Sequence, residues 1–335
     1  MRRLIISTTV LLGGLVVIFA VLGWSYWKAL QHNTHSLPEN VKIFEIQRGE
    51  SFSSIAARLK EQGIISDEFG FKILARQMDV RSAIKSGEYE LPNSYTYPAL
   101  LEHFVSGQPV MYTITFPEGW TFRDYKLALS KHEKVSHTLD NFTEQELVIQ
   151  LGIPYDRVEG WFFPDTYSFP KGTSDLEIIK NAYEKMKSVL NVAWEKRDQT
   201  IPLASSYELL TLASIIEKET SLANERGLIA GVFINRLRKG MKLQTDPTVI
   251  YGLGDSFDGN LTRAHLREDS EYNTYRIDGL PPSPIAMPGE DALLAAANPV
   301  ATTALFFVAD GSGGHTFSDN LKDHNEAVRK YQVKK

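Results

Sequence analysis

The sequence contains no cysteine. Disulfides, thiolate metal sites and a cysteine nucleophile are thereby excluded, although the compartment is not, because an exported chain can manage without disulfides. Basic charge is also short. The 36 Lys and Arg residues are outnumbered by 41 Asp and Glu, leaving a net charge of -5 and no hint of the basic face of a nucleic-acid binder. The zinc motif H-E-x-x-H is missing. Its nearest approach, His132 to His137 in HEKVSH, is one residue too long, and positions i and i+5 of a helix diverge. His315 and His324 are close in sequence but no third ligand is evident, so no metal and no cofactor are expected. There is no G-x-S-x-G to mark a serine hydrolase, no internal repeat and no low-complexity segment.

The 335 residues, 43% hydrophobic and 23% charged, have an ordinary globular balance with room for two folded units. Charge is absent again between Arg3 and Lys28. Leu4 to Trp24 forms an apolar run of about 20 residues, enough to span a bilayer. Trp24, Tyr26 and Trp27 stand at its far end, where an aromatic belt lies. Arg2 and Arg3 before the span place the N-terminus inside and the bulk of the chain outside. A cleavable signal peptide is the rival reading, but the run is long and no A-x-A site follows it. Residues 1–27 are therefore expected to form a cytoplasmic tip and a single-pass transmembrane anchor. Residues 28–40, KALQHNTHSLPEN, are polar and aperiodic and read as a linker.

From Val41 the pattern changes. Val41 to Ile46 has strand character, Arg48-Gly49-Glu50 turns, and Ser51 is placed to cap a helix whose stripe is Ile55, Ala56 and Leu59. A second helix over Asp67 to Gln77 and a returning strand in Ser86 to Pro92 complete a strand–helix–helix–strand order. This part, 41–108, resembles a LysM-type module, a class that binds N-acetylglucosamine-containing glycans. A packing or spacer domain of the same shape is the bland alternative. Pro98 to Ser106 predicts a helix with proline at its first turn, and Val110 to Phe116 a strand. Residues 109–335 read as a larger mixed α+β unit, with helices predicted over Asp175 to Arg197 and Ser206 to Arg238. The fold class expected for the whole is α+β.

LASIIEKET, Leu212 to Thr220, places Glu217 and Glu219 two residues apart on a mostly apolar helix. At about 100° per residue, Glu219 shares a sector with Leu212, Ile215, Ile216, Leu222 and Ala223. Glu217 shares one with Leu210, Ala213, Ser214 and Ser221, a small-residue face with room for something bulky. Buried glutamate is costly without a partner or a task. Two bland readings are a structural Glu219 paired with Arg226 or Arg236, and a solvated Glu217.

Beyond the helix come INRL, LQTDPTVIYG, YNTY, GLPP and ADGSGGHTF, which mix loop-forming residues with amides, hydroxyls and aromatics as sugar sites do. Singly, each could be a structural turn. Together with EKET they resemble the endolytic murein transglycosylases of the YceG-like family, and the resemblance runs from the anchor nearly to the C-terminus. It implies an enzyme, a lyase that cleaves the MurNAc–GlcNAc bond inside nascent peptidoglycan strands and limits their elongation beside the cytoplasmic membrane, near penicillin-binding synthases. It carries the catalytic role to Glu217, substrate contacts to Asn235, Gln244, Asp246, Thr248, Tyr251, Asn273 and Tyr275, and a supporting role to Glu219. It also implies that the muramic acid's own C6 hydroxyl attacks C1, so that one carboxyl acts as acid and then as base. The non-enzymatic rival is a membrane-anchored glycan-binding scaffold that recruits wall synthases.

Overall fold

A computed structural model describes residues 2–332, the first ten of these by backbone alone. Met1, residues 333–335 and the side chains of Arg2 and Arg3, on which the expected orientation turns, lie outside the described part. The chain divides into two compact units: Met1–Tyr112 with Ser168–Thr173, and Thr113–Tyr167 with Ser174–Lys335. The sequence predicts a single cut at 108/109. The chain instead returns to the first unit after leaving it, which no local pattern announces.

In the first unit, α1 (Arg2–His32) is the one described helix long and apolar enough to cross a bilayer, by length and composition, with none of the apolar stretch buried. It overruns the expected linker. Lys28 to His32 are its last turns, and β1 (His35–Ser36) pairs with Tyr95 and Ser94. The polar composition of 28–40 hides apolar anchors: Leu30 is buried in the core, with Trp27 and Leu37 packed against it. Gly70 permits this approach, since a β-carbon there would lie 2.5 Å from Leu30 Cδ2.

Then follow β2 (Ile43–Ile46), α2 (Phe52–Glu61), α3 (Glu68–Gln77), β3 (Gly87–Glu90), β4 (Ser94–Tyr95) and α4 (Tyr97–Ser106). Strands β2 and β3 are antiparallel, with Phe44 opposite Tyr89. Ser51 caps α2 by accepting from Ser54 N–H at 3.2 Å, and Asp67 caps α3 by accepting from Gly70 N–H at 2.9 Å. The core includes Phe44, Ile55, Leu59, Phe71, Tyr89 and Phe104.

The ribbon of β5 (Met111–Thr115) and β6 (Thr166–Pro170) has residues in both units. Between those strands lie α5 (Phe122–Ser130) and α6 (Glu144–Leu151). The second unit continues with α7 (Asp175–Glu195), α8 (Ser206–Glu219), α9 (Ala223–Arg238), α10 (Asp246–Leu253), α11 (Glu290–Ala297), the hairpin β7 (Phe306–Ala309) and β8 (His315–Ser318), and α12 (Leu321–Tyr331). Helix α8 is the centre, packed by α7, α9, α10 and α11. It is buried without a break from Leu209 to Ile216. Its hydroxyls are satisfied locally, Thr211 donating to Tyr207 O at 2.9 Å and Ser214 to Thr211 O at 2.7 Å. A helix enclosed on every side can offer chemistry only at its ends. Here that end is Glu217 to Glu219. Thr220 then turns extended (φ -150°, ψ 139°) and stops the helix. Leu222 and Ala223 consequently belong to the start of α9 and do not share the Leu212 sector.

Glu159, 6% exposed, accepts from Phe122 N–H at the start of α5 (3.0 Å) and from the Tyr251 hydroxyl (3.2 Å). Burial pushes its carboxyl from 4.5 up to about 8, against the opposing pull of those donors. Between these values the unfolded chain releases a proton that the folded chain keeps, so stability falls as pH rises. Thermal melts should show a lower midpoint at about pH 8 than at about pH 5, and Glu159→Gln should remove much of that difference. Equal slopes in both proteins would refute this account of Glu159.

Candidate active site

Glu217 is held at the C-terminal end of α8 by two segments distant in sequence. Gly119 N–H donates to Met287 O (2.8 Å) and Met287 N–H to Trp120 O (2.7 Å), which joins the loop after β5 to the segment before α11. This pairing sets Gly289 against Glu118. Gly289 N–H donates to Glu217 Oε2 at 3.0 Å. Arg226, in the first turn of α9, reaches Glu217 Oε1 (3.4 Å), Glu118 (3.5 Å) and Asp291 (3.0 Å). The Glu217 side chain is only 6% exposed, whereas Glu118 and Asp291 are 47% and 65% exposed and form the rim above it. Burial holds its carboxyl above the usual range. The Gly289 N–H opposes the rise, Glu118 adds to it and Arg226 opposes it. A helix C-terminus also disfavours the ion.

The small-residue face leading to Glu217 is not an open slot. Ser214 Oγ accepts from Ile285 N–H at 3.0 Å, and Pro284 packs so closely on Gly160 that a β-carbon there would be 2.5 Å away. The Ser283–Met287 segment therefore fills it, leaving only the Glu217 end at the surface.

Glu219 points to the other side of the helix, two residues on and about 200° round. It accepts a hydrogen bond from the Thr245 hydroxyl. Arg226 is not its partner, contrary to one of the bland readings. Burial pushes its carboxyl up to about 7, with the Thr245 hydroxyl opposing and Asp246 assisting. Glu219 lines a cleft of about 500 Å³ together with Gln244, Asp246, Tyr275, Phe307 and His315. Tyr275 donates to Asp246 Oδ1 at 2.6 Å. Gln244 occupies the left-handed region (φ 51°), a strained conformation for a non-glycine residue that the surrounding structure must impose. Arg236 borders the cleft and gives its donors to Leu305 O (2.6 Å), Leu243 O (2.9 Å), Lys242 O (3.1 Å) and Gln244 Oε1 (3.3 Å).

The sequence-predicted residues thus separate. Gln244, Asp246, Tyr275 and Glu219 meet in the cleft, and Glu217 lies across α8 from them. Asn235 is committed elsewhere, its amide donating to Thr302 O (2.8 Å) and Ala304 O (3.1 Å). Asn273, 1% exposed, donates to Glu268 O (2.7 Å) and accepts from Tyr275 N–H (3.0 Å). Thr248, fully buried, donates to Thr245 O at 2.8 Å. These three brace the backbone around the cleft and are not among the side chains that line it. Tyr251 sits with Glu159. No group of three or more metal-ligating side chains gathers among the described residues.

The sequence profile of the YceG-like family matches residues 44–330. The chain belongs to the YceG-like family. Within it, a Bacillus subtilis protein named endolytic murein transglycosylase is 33% identical over 324 residues, covering 91% of this chain and 89% of that one. A Streptococcus pneumoniae protein of the same name is 29% identical over 85% of this chain, which spans only 57% of its length. A solved YceG-like structure from Listeria monocytogenes superposes with a TM-score of 0.55 at 30% identity, covering 85% of this chain and 99% of that one.

Around the YceG-like motifs, pattern reading missed Glu118, Gly289 and the pairing of Arg226 with Glu217. The Gly289 and Glu118 contacts join segments 72 and 108 residues apart in sequence, and the Arg226 pairing, though only nine residues long, needs the turn between α8 and α9. No local signal encodes these contacts.

Proposed function

We propose that this YceG-like protein is an endolytic murein transglycosylase, a lyase that cuts the MurNAc–GlcNAc bond within nascent peptidoglycan strands and leaves a 1,6-anhydroMurNAc end. In this reading α1 anchors it in the cytoplasmic membrane with the N-terminus inside, and the catalytic unit works outside, beside the wall synthases. The LysM-like first unit holds or feeds the strand. The observation that carries the chemistry is the Glu217 carboxyl, 6% exposed and set between a backbone N–H and a guanidinium.

Glu217 starts neutral, as burial favours. It protonates the departing GlcNAc oxygen while the C1–O bond breaks. The muramic acid's C6 oxygen bonds to C1 and gives its proton back to the carboxylate. Between these steps Gly289 N–H and Arg226 stabilise the ion. Water takes no part, so a second catalytic carboxylate is not required. Mass spectrometry of products from purified strands should show anhydro ends. Only reducing ends, heavier by one water, would make the protein a hydrolase, with Asp246 as the candidate second carboxylate. Strand binding without new ends would leave the scaffold reading.

One observation favours a second assignment of the acid. Glu219 has its carboxyl raised to about 7 and faces the mapped cleft. Its Thr245 bond instead gives it a structural task. Glu219→Gln should lower turnover by about 10-fold or less, the scale of one neutral hydrogen bond. A loss equal to that of Glu217→Gln would reverse the two roles.

A further inference from the structure

The β7–β8 hairpin brings an imidazole into the cleft that the mechanism above does not use. His315 N–H donates to Glu225 Oε1 at 2.9 Å, and His315 Nδ1 lies 2.7 Å from Glu225 Oε2. Both oxygens of a carboxylate only 9% exposed are thereby spent on one histidine. Gly314 makes the approach possible, since a β-carbon there would stand 2.8 Å from Glu225 Oε1. Phe307 meets the ring edge-on, with centroids 5.4 Å apart at 88°. A carboxylate at Nδ1 keeps the proton on that nitrogen and leaves a lone pair on Nε2. Nε2 has no protein hydrogen-bond partner among the described residues, and the ring lines the cleft of about 500 Å³.

The chemistry of the cleft says what this lone pair awaits. Glu219 and Asp246 contribute carboxylates, and the neighbouring cation, Arg236, donates to backbone carbonyls and to the Gln244 side-chain oxygen (3.3 Å). The two carboxylates and the His315 nitrogen supply acceptors, and the side-chain amides of Gln244, Asn325 and Gln332 on the same wall supply both donors and acceptors. The cleft repels an anion and suits a ligand dense in hydroxyl and amide N–H groups. We propose that His315 is a saccharide-binding residue whose Nε2 accepts a hydrogen bond from a sugar hydroxyl or N-acetyl N–H of the strand, with Glu225 fixing the ring. The proposal rests on the glycan-cleaving reading and deepens it. Consecutive residues of α9 then hold the two parts of the site, Glu225 the binding imidazole and Arg226 the acid Glu217.

The test uses the full chain in detergent and purified uncrosslinked glycan strands. His315→Asn keeps a donor for Glu225 but lacks an atom at Nε2, whereas His315→Gln restores an acceptor there. In the Glu217→Gln background, His315→Asn should weaken strand binding about 10-fold, as one hydrogen bond is lost, and His315→Gln should recover most of it. In the active protein the same change should raise KM and leave kcat little altered. Unchanged binding in His315→Asn, or no recovery in His315→Gln, overturns the proposal. If His315→Asn does not fold, His315→Phe takes its place under the same criteria. Failure of the wild type to cleave while His315→Asn still weakens binding would sink the cleavage reading and keep this one. Cleavage with KM unchanged in His315→Asn would do the reverse.

Discussion

Glu217→Gln should lower strand cleavage by about 10²–10⁴-fold, the usual contribution of a positioned general acid or base. The effect should fall at the upper end, because one carboxyl serves both proton transfers. The fold should survive. Glutamine keeps an oxygen for Gly289 N–H at 3.0 Å and gives up only the looser 3.4 Å approach of Arg226. Burial already disfavours the ion that it replaces. Circular dichroism and a melt should therefore match wild type while new chain ends disappear. Full activity in a folded Glu217→Gln protein would remove the mechanism.

Arg226→Leu has the next largest consequence. The guanidinium is 9% exposed and faces three carboxylates, of which Glu217 is the most enclosed. Removing it takes a shared donor from Glu217, Glu118 and Asp291, at a cost of about 1–3 kcal/mol, the penalty for a buried polar group left unpaired. The proton on Glu217 is the second readout. Without Arg226 the carboxyl rises further, so the acid stays loaded to higher pH. The alkaline limb of kcat should move upward and the overall rate should fall, since the ion formed after proton donation loses its counter-charge. Denaturant melts and a pH–rate profile would check both. A variant as stable as wild type with an unmoved limb would show that Arg226 does not govern Glu217.

Much of the scaffold is legible in the sequence. The apolar run of α1, the Ser51 cap, the proline opening α4 and the helix over α7 are local, and local rules describe them. The misreadings share one cause. Residues 28–40 looked like linker because Trp27, Leu30 and Leu37 are too sparse to make a stripe, although they bury against the first unit's core. Asn235, Thr248 and Asn273 read as sugar ligands because the sequence pattern around a polar side chain is the same whether it meets a ligand or, as here, a backbone carbonyl.

By itself the sequence determined the family, through motifs long enough to be specific, and the order of elements, through periodicities set by backbone geometry. It also placed Glu217 and Glu219 on opposite sides of one helix, because residue rotation is fixed at about 100°. Tertiary structure alone decided which carboxyl meets Arg226 and Gly289, which meets Thr245, and that His315 leans on Glu225. The reason is physical. Protonation and hydrogen-bond partners follow from burial and from loops joined far apart along the chain, and neither is a property of any short stretch of residues.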